Sequence, residues 1–212
     1  MRRLTLALFV CILLHVNYAS AAPTYVFPVQ GCKYTYAKSH HDYPATDILA
    51  KIGCDFVAPI SGTIDEVNRV DRFTWKTNKG ADRGGLSVSM IGDDGVRYYG
   101  SHLSAIPTNI VSGLRVAPGD LIGKTGNSGD ARGTTPHLHF GISWPTPSGK
   151  NIWWVRRGEL YPWPFLDAWK AAPRLDKKTD GELWKRFSSA RNKFDKRRRT
   201  HFASLTAQQN QV

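Results

Sequence analysis

Three things are scarce in this sequence. It has three cysteines in 212 residues, 17 acidic residues against 29 basic ones, and one apolar run, which lies at the N-terminus. So few cysteines exclude a disulfide-dense scaffold, and a four-cysteine zinc cluster cannot be assembled. The shortage of acid leaves a net charge of +12, which points to a polyanionic partner or surroundings: nucleic acid, an acidic membrane surface or an anionic cell wall. No later segment is long and apolar enough to cross a bilayer. What is present suffices for a core: 41% of residues are hydrophobic and 11% aromatic, so general disorder is excluded. The length fits one compact domain with extensions better than two domains.

The ends of the chain differ from its body. Arg2 and Arg3, an apolar run from Leu4 to Val16 and the small residues Ala19, Ser20 and Ala21 have the form of a secretory signal peptide cut after Ala21. Cys11 and His15 leave with it, so Cys32 and Cys54 are the only pair in the mature chain. Export favours a disulfide between them, the alternative being two buried thiols. Residues 173–212 hold eleven basic and four acidic residues, including Lys196, Arg197, Arg198 and Arg199 in a row. Leu183, Trp184, Phe187 and Phe194 have roughly helical spacing, so part of this extension is expected to be an amphipathic helix and the rest solvated or disordered. Residues 22–172 form the folded domain and carry a surplus of only +3, against +7 for the extension and +2 for the leader.

The body reads as β-structure. Phe56 to Ala58, Thr63 and Ile64, Leu86 to Met90 and Val96 to Tyr99 are short runs rich in β-branched and aromatic residues between turn signals. Asp93-Asp94-Gly95 is hairpin chemistry between the last two. Val116 to Gly123 and Gly126 to Gly129 supply further turns. No long helix is expected before Pro164, and Phe165 to Ala172 reads as one short helix with Asp167 and Lys170 outward. An all-β fold follows, mainly antiparallel and hairpin-rich, with a short helical C-terminal extension.

Apart from His15 in the leader and His201 in the extension, five histidines remain, at His40, His41, His102, His137 and His139. In His137-Leu138-His139-Phe140, strand alternation puts both imidazoles on one face and the two apolar side chains on the other. Such a pair can bind a metal together, or one can bind while its neighbour moves protons. His40 or His41 and Asp47, joined through Tyr43-Pro44, offer one nitrogen and one oxygen. With a third ligand from the His137–His139 strand they would leave a fourth position open to water, as in catalytic zinc sites. His102, in Tyr99-Gly100-Ser101-His102-Leu103, adds another imidazole.

Together these segments resemble the lysostaphin-type peptidoglycan zinc metalloendopeptidases, of duplicated hybrid motif fold. The hallmarks are a His followed shortly by an Asp, a Tyr-x-His-Leu-like segment and a terminal His-Leu-His-Phe strand. Here the likeness runs from about Gly31 to Trp144 and takes in Ala58 to Ile64 and Val116 to Gly129. One departure concerns spacing: the family has three residues between the ligand His and Asp, whereas six separate His40 from Asp47 and five separate His41 from it. The related D-alanyl-D-alanine peptidases use a six-residue gap with Ala two before the Asp, which His40, Ala45 and Asp47 reproduce, and His40 is favoured on that ground.

The resemblance implies that His40, Asp47 and His139 bind Zn2+, with His102 and His137 as catalytic residues beside it. It implies an exported metalloendopeptidase, secreted or periplasmic, that hydrolyses stem peptides or cross-links of bacterial peptidoglycan. A monomer is expected, with no specific nucleic-acid partner, and the basic extension would hold anionic wall or surface polymers. The alternative is a non-catalytic cell-wall-binding or hydrolase-activator protein on the same fold; such relatives tend to lose metal ligands. A sugar-phosphotransfer protein has a related architecture with paired His, but its partners are cytoplasmic. Tyr43 and Tyr99 have two readings, cleft lining or plain packing, and packing is the expectation; the tryptophans Trp144, Trp153, Trp154 and Trp163 could stack on sugar or cap the core, and the cap is the expectation.

Overall fold

The computed structural model describes residues 24–41, 43–145 and 153–171. The expected leader at 1–21 and the basic extension at 173–212, with Cys11, His15 and His201, lie outside the described residues.

Ten strands and two short α-helices are found among the described residues: β1 (Val29–Gln30), β2 (Tyr34–Tyr36), β3 (Thr46–Ala50), β4 (Asp55–Val57), β5 (Gly62–Asn68), β6 (Leu86–Gly92), β7 (Arg97–Leu103), β8 (Arg115–Val116), β9 (Leu121–Lys124), β10 (His137–Ser143), α1 (Trp153–Arg157) and α2 (Trp163–Ala171). The strands form a seven-stranded sheet in the order β2-β3-β10-β7-β6-β5-β8 and a three-stranded sheet in the order β1-β4-β9. Every paired strand is antiparallel. The all-β expectation and the four strand runs are thus met. The Asp93-Asp94-Gly95 turn also closes the β6–β7 hairpin, with Gly95 at φ 74° donating its N–H to Gly92.

The core lies between the two sheets. From the large sheet come Ile48, Ile64, Met90, Leu103, Leu138 and Phe140, and from the small one Val29, Phe56 and Ile122, all buried. Phe56 sits against Gly100 of β7, where a Cβ would come within 2.4 Å of its ring. A side chain at that position would wedge the sheets apart. Burying a residue such as Phe or Leu here is worth about 1.5–3 kcal/mol.

The Cys32–Cys54 disulfide is formed and ties the segment before β2 to the start of β4. α2 covers one end of the core with Leu166 and Trp169, and Asp167 and Lys170 face outward as expected. It is pinned to β2 by a hydrogen bond from the Tyr36 hydroxyl to Asp167 (2.7 Å) and by Lys170 over Tyr34. No long helix precedes Pro164 among the described residues. The five-residue α1 is an addition, too short for any periodicity to mark it. The tryptophans divide between the two readings: Trp144 is buried, Trp153 and Trp163 are half-buried, and Trp154, 59% exposed, does not cap the core.

Candidate active site

Asp47 and His139 face each other across the β3–β10 ladder. Directly opposed residues share a face of the sheet, so the ladder alone brings these two together. On the same face of β10 is His137, while Leu138 and Phe140 go into the core. His139 Nδ1 lies 3.0 Å from Asp47 Oδ1, and His137 Nε2 lies 4.0 Å from the same oxygen. From the loop before β3, His40 brings Nε2 to 3.7 Å from Asp47 Oδ2, and its ring stands 5.0 Å from that of His139.

His102 arrives by a different route. On β7, Tyr99 and Ser101 pair with Gly141 and His139 and so share the site face, while Tyr98 and Gly100 face the core. Regular alternation would send His102 into the core. Between Gly100 and Leu103, however, β7 holds two residues where β6 holds only Ser87, a bulge that gives the strand an extra residue. His102 takes up that residue in a left-handed conformation, φ 62°. Leu103 returns to the core, and the His102 ring lies 5.0 Å from His137 and 5.8 Å from His139. A non-glycine residue in that region costs on the order of 1–3 kcal/mol, which the surrounding contacts offset. These include His102 N–H to Gly84 (2.9 Å) and ring Nδ1–H to the Ser128 carbonyl (2.8 Å).

Partners of the rings set their tautomers. His102 Nδ1 donates to Ser128, and His137 Nδ1 donates to the Thr135 carbonyl at 2.7 Å. In the neutral form each therefore keeps its lone pair on Nε2. Burial pushes His102 down to about 3, with the neighbouring His139 and His137 adding to the effect, so it is neutral at physiological pH. His139 is reversed: Nε2 donates to the Arg157 carbonyl at 3.1 Å, leaving the Nδ1 lone pair toward the Asp47 carboxylate. Two acceptors in contact need a second proton on the ring or a cation between them. Burial alone would raise Asp47, but with the second proton on His139 its Nδ1–H donates to the carboxylate, and that bond together with the positive charges of protonated His139, His137 and His40 outweighs burial and holds the carboxyl at about 2. It is a permanent anion ringed by imidazoles.

A metal fits this donor set. His40, His41 and Asp47 offer ligand atoms all within 4.8 Å of one another, and His139 reaches Asp47 from the other side. His40 Nδ1 is buried and has no hydrogen-bond partner among the described residues. Donors bound at about 2.0–2.2 Å to one ion stand 3 to 4 Å apart, the range seen around Asp47. His40 is enclosed between Tyr43 and His139, whereas His41 is exposed and meets His40 edge-on at 5.0 Å. A small cavity of about 20 Å³ beside the cluster is lined by Tyr43, Tyr99, His102, Asp130, His139 and Arg157. Tyr43 and Tyr99 therefore line the site, contrary to the expectation of plain packing, and burial raises both phenols, Tyr43 to about 12.

A model of peptidase family M23 matches residues 41–152, more than half of the chain. The chain belongs to peptidase family M23. The M23 match spans Asp47, His102, His137 and His139, and ends just short of α1. The L-Ala–D-Glu endopeptidase of Bacillus subtilis (strain 168) is 29% identical over 133 residues, 60% of this chain and 35% of that protein. The M23 chain here thus spans about a third of that curated relative. Among solved structures, the catalytic domain of the antimicrobial peptidase lysostaphin from Staphylococcus simulans is 27% identical, covering 63% of this chain and 92% of that one, with a TM-score of 0.48. A zinc-containing peptidase from Vibrio cholerae is 22% identical, covering 56% and 36%, with a TM-score of 0.43.

Three contributors had no signal in the sequence. The Arg157 carbonyl orients His139, yet any residue could supply a carbonyl. Ser128 does the same for His102 through its backbone. Asp130, whose Oδ1 lies 3.9 Å from His102 Nε2, follows the turn at Gly126 to Gly129 and belongs to no motif of its own.

Proposed function

We propose that this chain is an exported zinc metalloendopeptidase acting on peptide bonds of bacterial peptidoglycan. The observation that carries the proposal is the Asp47 carboxylate held among His40, His137 and His139, with His102 folded back by a bulge to join them. Membership of M23 and the likeness to an L-Ala–D-Glu endopeptidase support it.

In this reading His40, Asp47 and His139 hold the ion, with His41 beside His40 as the competing donor. Zinc bound there would polarise the scissile carbonyl and lower the pKa of water toward neutrality. The chain's own residues do the rest. Asp47 offsets the cation's charge, and the Arg157 carbonyl keeps the His139 Nδ1 lone pair facing inward. His102 and His137 each present Nε2 while Nδ1 is committed to a backbone carbonyl. One of the pair accepts the proton of the attacking water and returns it to the departing amine. The other, once protonated, donates to the carbonyl oxygen as negative charge develops. The leader at 1–21 would carry the chain out of the cytoplasm, and the basic extension would retain it on anionic wall polymer.

The test combines zinc analysis with mass spectrometry of purified peptidoglycan digested by protein starting at Ala22. Stoichiometric zinc and new amino termini at a single type of bond are expected. Metal-free, inactive protein that still binds wall would overturn the enzyme reading in favour of a wall-binding or activator protein.

A further inference from the structure

The family match ends at residue 152, and α1 begins at the residue after it. The last residue of that helix nevertheless reaches the site, where the Arg157 carbonyl accepts from His139 Nε2 at 3.1 Å. Five residues fall short of two helical turns, and a helix so short does not hold its shape alone. α1 is instead held at both ends. Past its C-terminal end the chain returns to β10, where Glu159 and Leu160 donate their N–H groups to the Ile142 carbonyl at 2.8 and 3.2 Å. At the other end, Trp153 and the Arg157 side chain grip a single residue, Gly80. The Trp153 ring packs so close to it that a Cβ there would come within 2.2 Å. The Arg157 guanidinium donates to the Gly80 carbonyl and lies 4.5 Å from the Trp153 ring centre.

Gly80 is a fixed point for this grip. It opens the short turn Gly80–Asp82, and the residues that follow are fastened to the other half of the site. The Arg83 carbonyl accepts from the Asp130 N–H (3.0 Å), and the Gly84 carbonyl accepts from the His102 N–H (2.9 Å). The loop held at Asp130 also supplies the Ser128 carbonyl to His102 Nδ1. One turn therefore bears directly on His102 and, through Trp153 and α1, on His139.

We propose that the contact between Trp153 and Gly80 is a latch that positions the metal ligand His139 from outside the metal site. Docking of α1 on the turn sets the Arg157 carbonyl, and that carbonyl keeps the proton on His139 Nε2 and the Nδ1 side of the ring toward Asp47. Without it the ring is free to rotate or to move its proton to Nδ1, and either change withdraws the lone pair that a cation needs. Trp153 and Gly80 are positioning residues; neither is among the side chains around Asp47. The inference rests on the reading of His139 as a zinc ligand.

The experiment compares Trp153→Ala, Gly80→Ala, the two combined, and Trp154→Ala, which removes the exposed neighbouring ring as a control. Zinc affinity is measured by competition with a chelator. In the metal-free protein, NMR of the labelled imidazoles reads whether the His139 Nε2 proton is protected from exchange with water, a signal that does not depend on zinc or on turnover. A thermal melt records the cost to the fold as a whole. Trp153→Ala and Gly80→Ala should each weaken zinc binding by about 10–100-fold, the usual result of removing the partner of a ligand histidine, and should lose the protected proton. Gly80→Ala should add little in the Trp153→Ala background, where the ring it would strike is already gone. Trp154→Ala should bind zinc as the wild type does and keep the proton. Wild-type zinc affinity and a protected proton in folded Trp153→Ala, or equal losses in Trp154→Ala, would overturn the latch while leaving the metal reading intact. Wild-type protein that takes up no zinc, but whose protected proton is lost in both latch variants, would sink the metal reading and uphold the latch.

Discussion

Two kinds of backbone deliver the residues around Asp47. Asp47, His137 and His139 sit on paired strands, where the ladder sets their positions. His40, His41 and the Arg157 carbonyl come from a loop and a helix end, and His102 comes from a strand that departs from its own alternation. The ladder-held residues need only a register to meet. The others depend on local conformations that hold only while tertiary contacts stabilise them. The regular half therefore defines where the anion and its imidazoles lie, and the irregular half closes the site around them.

The largest effect should come from breaking the ladder-held pair. Asp47→Ala or His139→Ala is expected to abolish both zinc content and hydrolysis, checked by elemental analysis and peptide release; full activity of metal-free protein would refute the assignment. Next, the loop side is sharpened by His40→Ala against His41→Ala. Loss of bound zinc in the first and retention in the second is expected, because His40 is enclosed against Tyr43 and His139 while His41 is exposed. The reverse pattern would move the ligand to His41.

Replacing His102 or His137 by Ala should retain zinc and lower kcat by about 10²–10⁴-fold, the usual contribution of a positioned acid or base. Unchanged turnover in either would remove it from the pair. Gly141→Ala tests the seat of α1, since a Cβ there would come within 2.0 Å of the Arg157 carbonyl oxygen. A loss of about 1–3 kcal/mol in denaturant unfolding is expected, as for other overpacked sites.

The smallest effect concerns Asp71, which accepts from the Gly129 N–H (2.9 Å) and Arg132 and so holds the loop that carries Ser128 and Asp130. Burial alone would raise its carboxyl, but those hydrogen bonds prevail and lower it. With the folded value below the unfolded one, its stabilisation is complete above the ordinary carboxylate range and is lost as pH falls through the folded value. Asp71→Asn should flatten that acid-side decline, by under about 1 kcal/mol for such a partly exposed pair. An unaltered acid profile would show that Asp71 contributes nothing there.

The same division decides what could be read beforehand. Alternating β-branched and aromatic runs between Gly and Asp turns are a local signal, and the strands at Leu86 and Arg97 lie where that signal put them. His137-Leu138-His139-Phe140 declared its two faces because alternation is a property of any extended chain. α1 was not legible, because five residues carry no period and its contribution at the site is a carbonyl. Tyr43 and Tyr99 read equally well as packing, and only their neighbours show that they line the site.

By itself, then, the sequence determined the fold class, the candidate pair on β10, the likeness to a peptidase family and the division of charge between body and extension. All of these rest on composition and short-range periodicity. Tertiary structure alone decided that Asp47 faces His139, since register is a pairing between segments 92 residues apart. It also decided that His102 joins them. Its alternation points into the core, and one extra residue in β7, held at positive φ by Gly84 and Ser128, turns it to the other face.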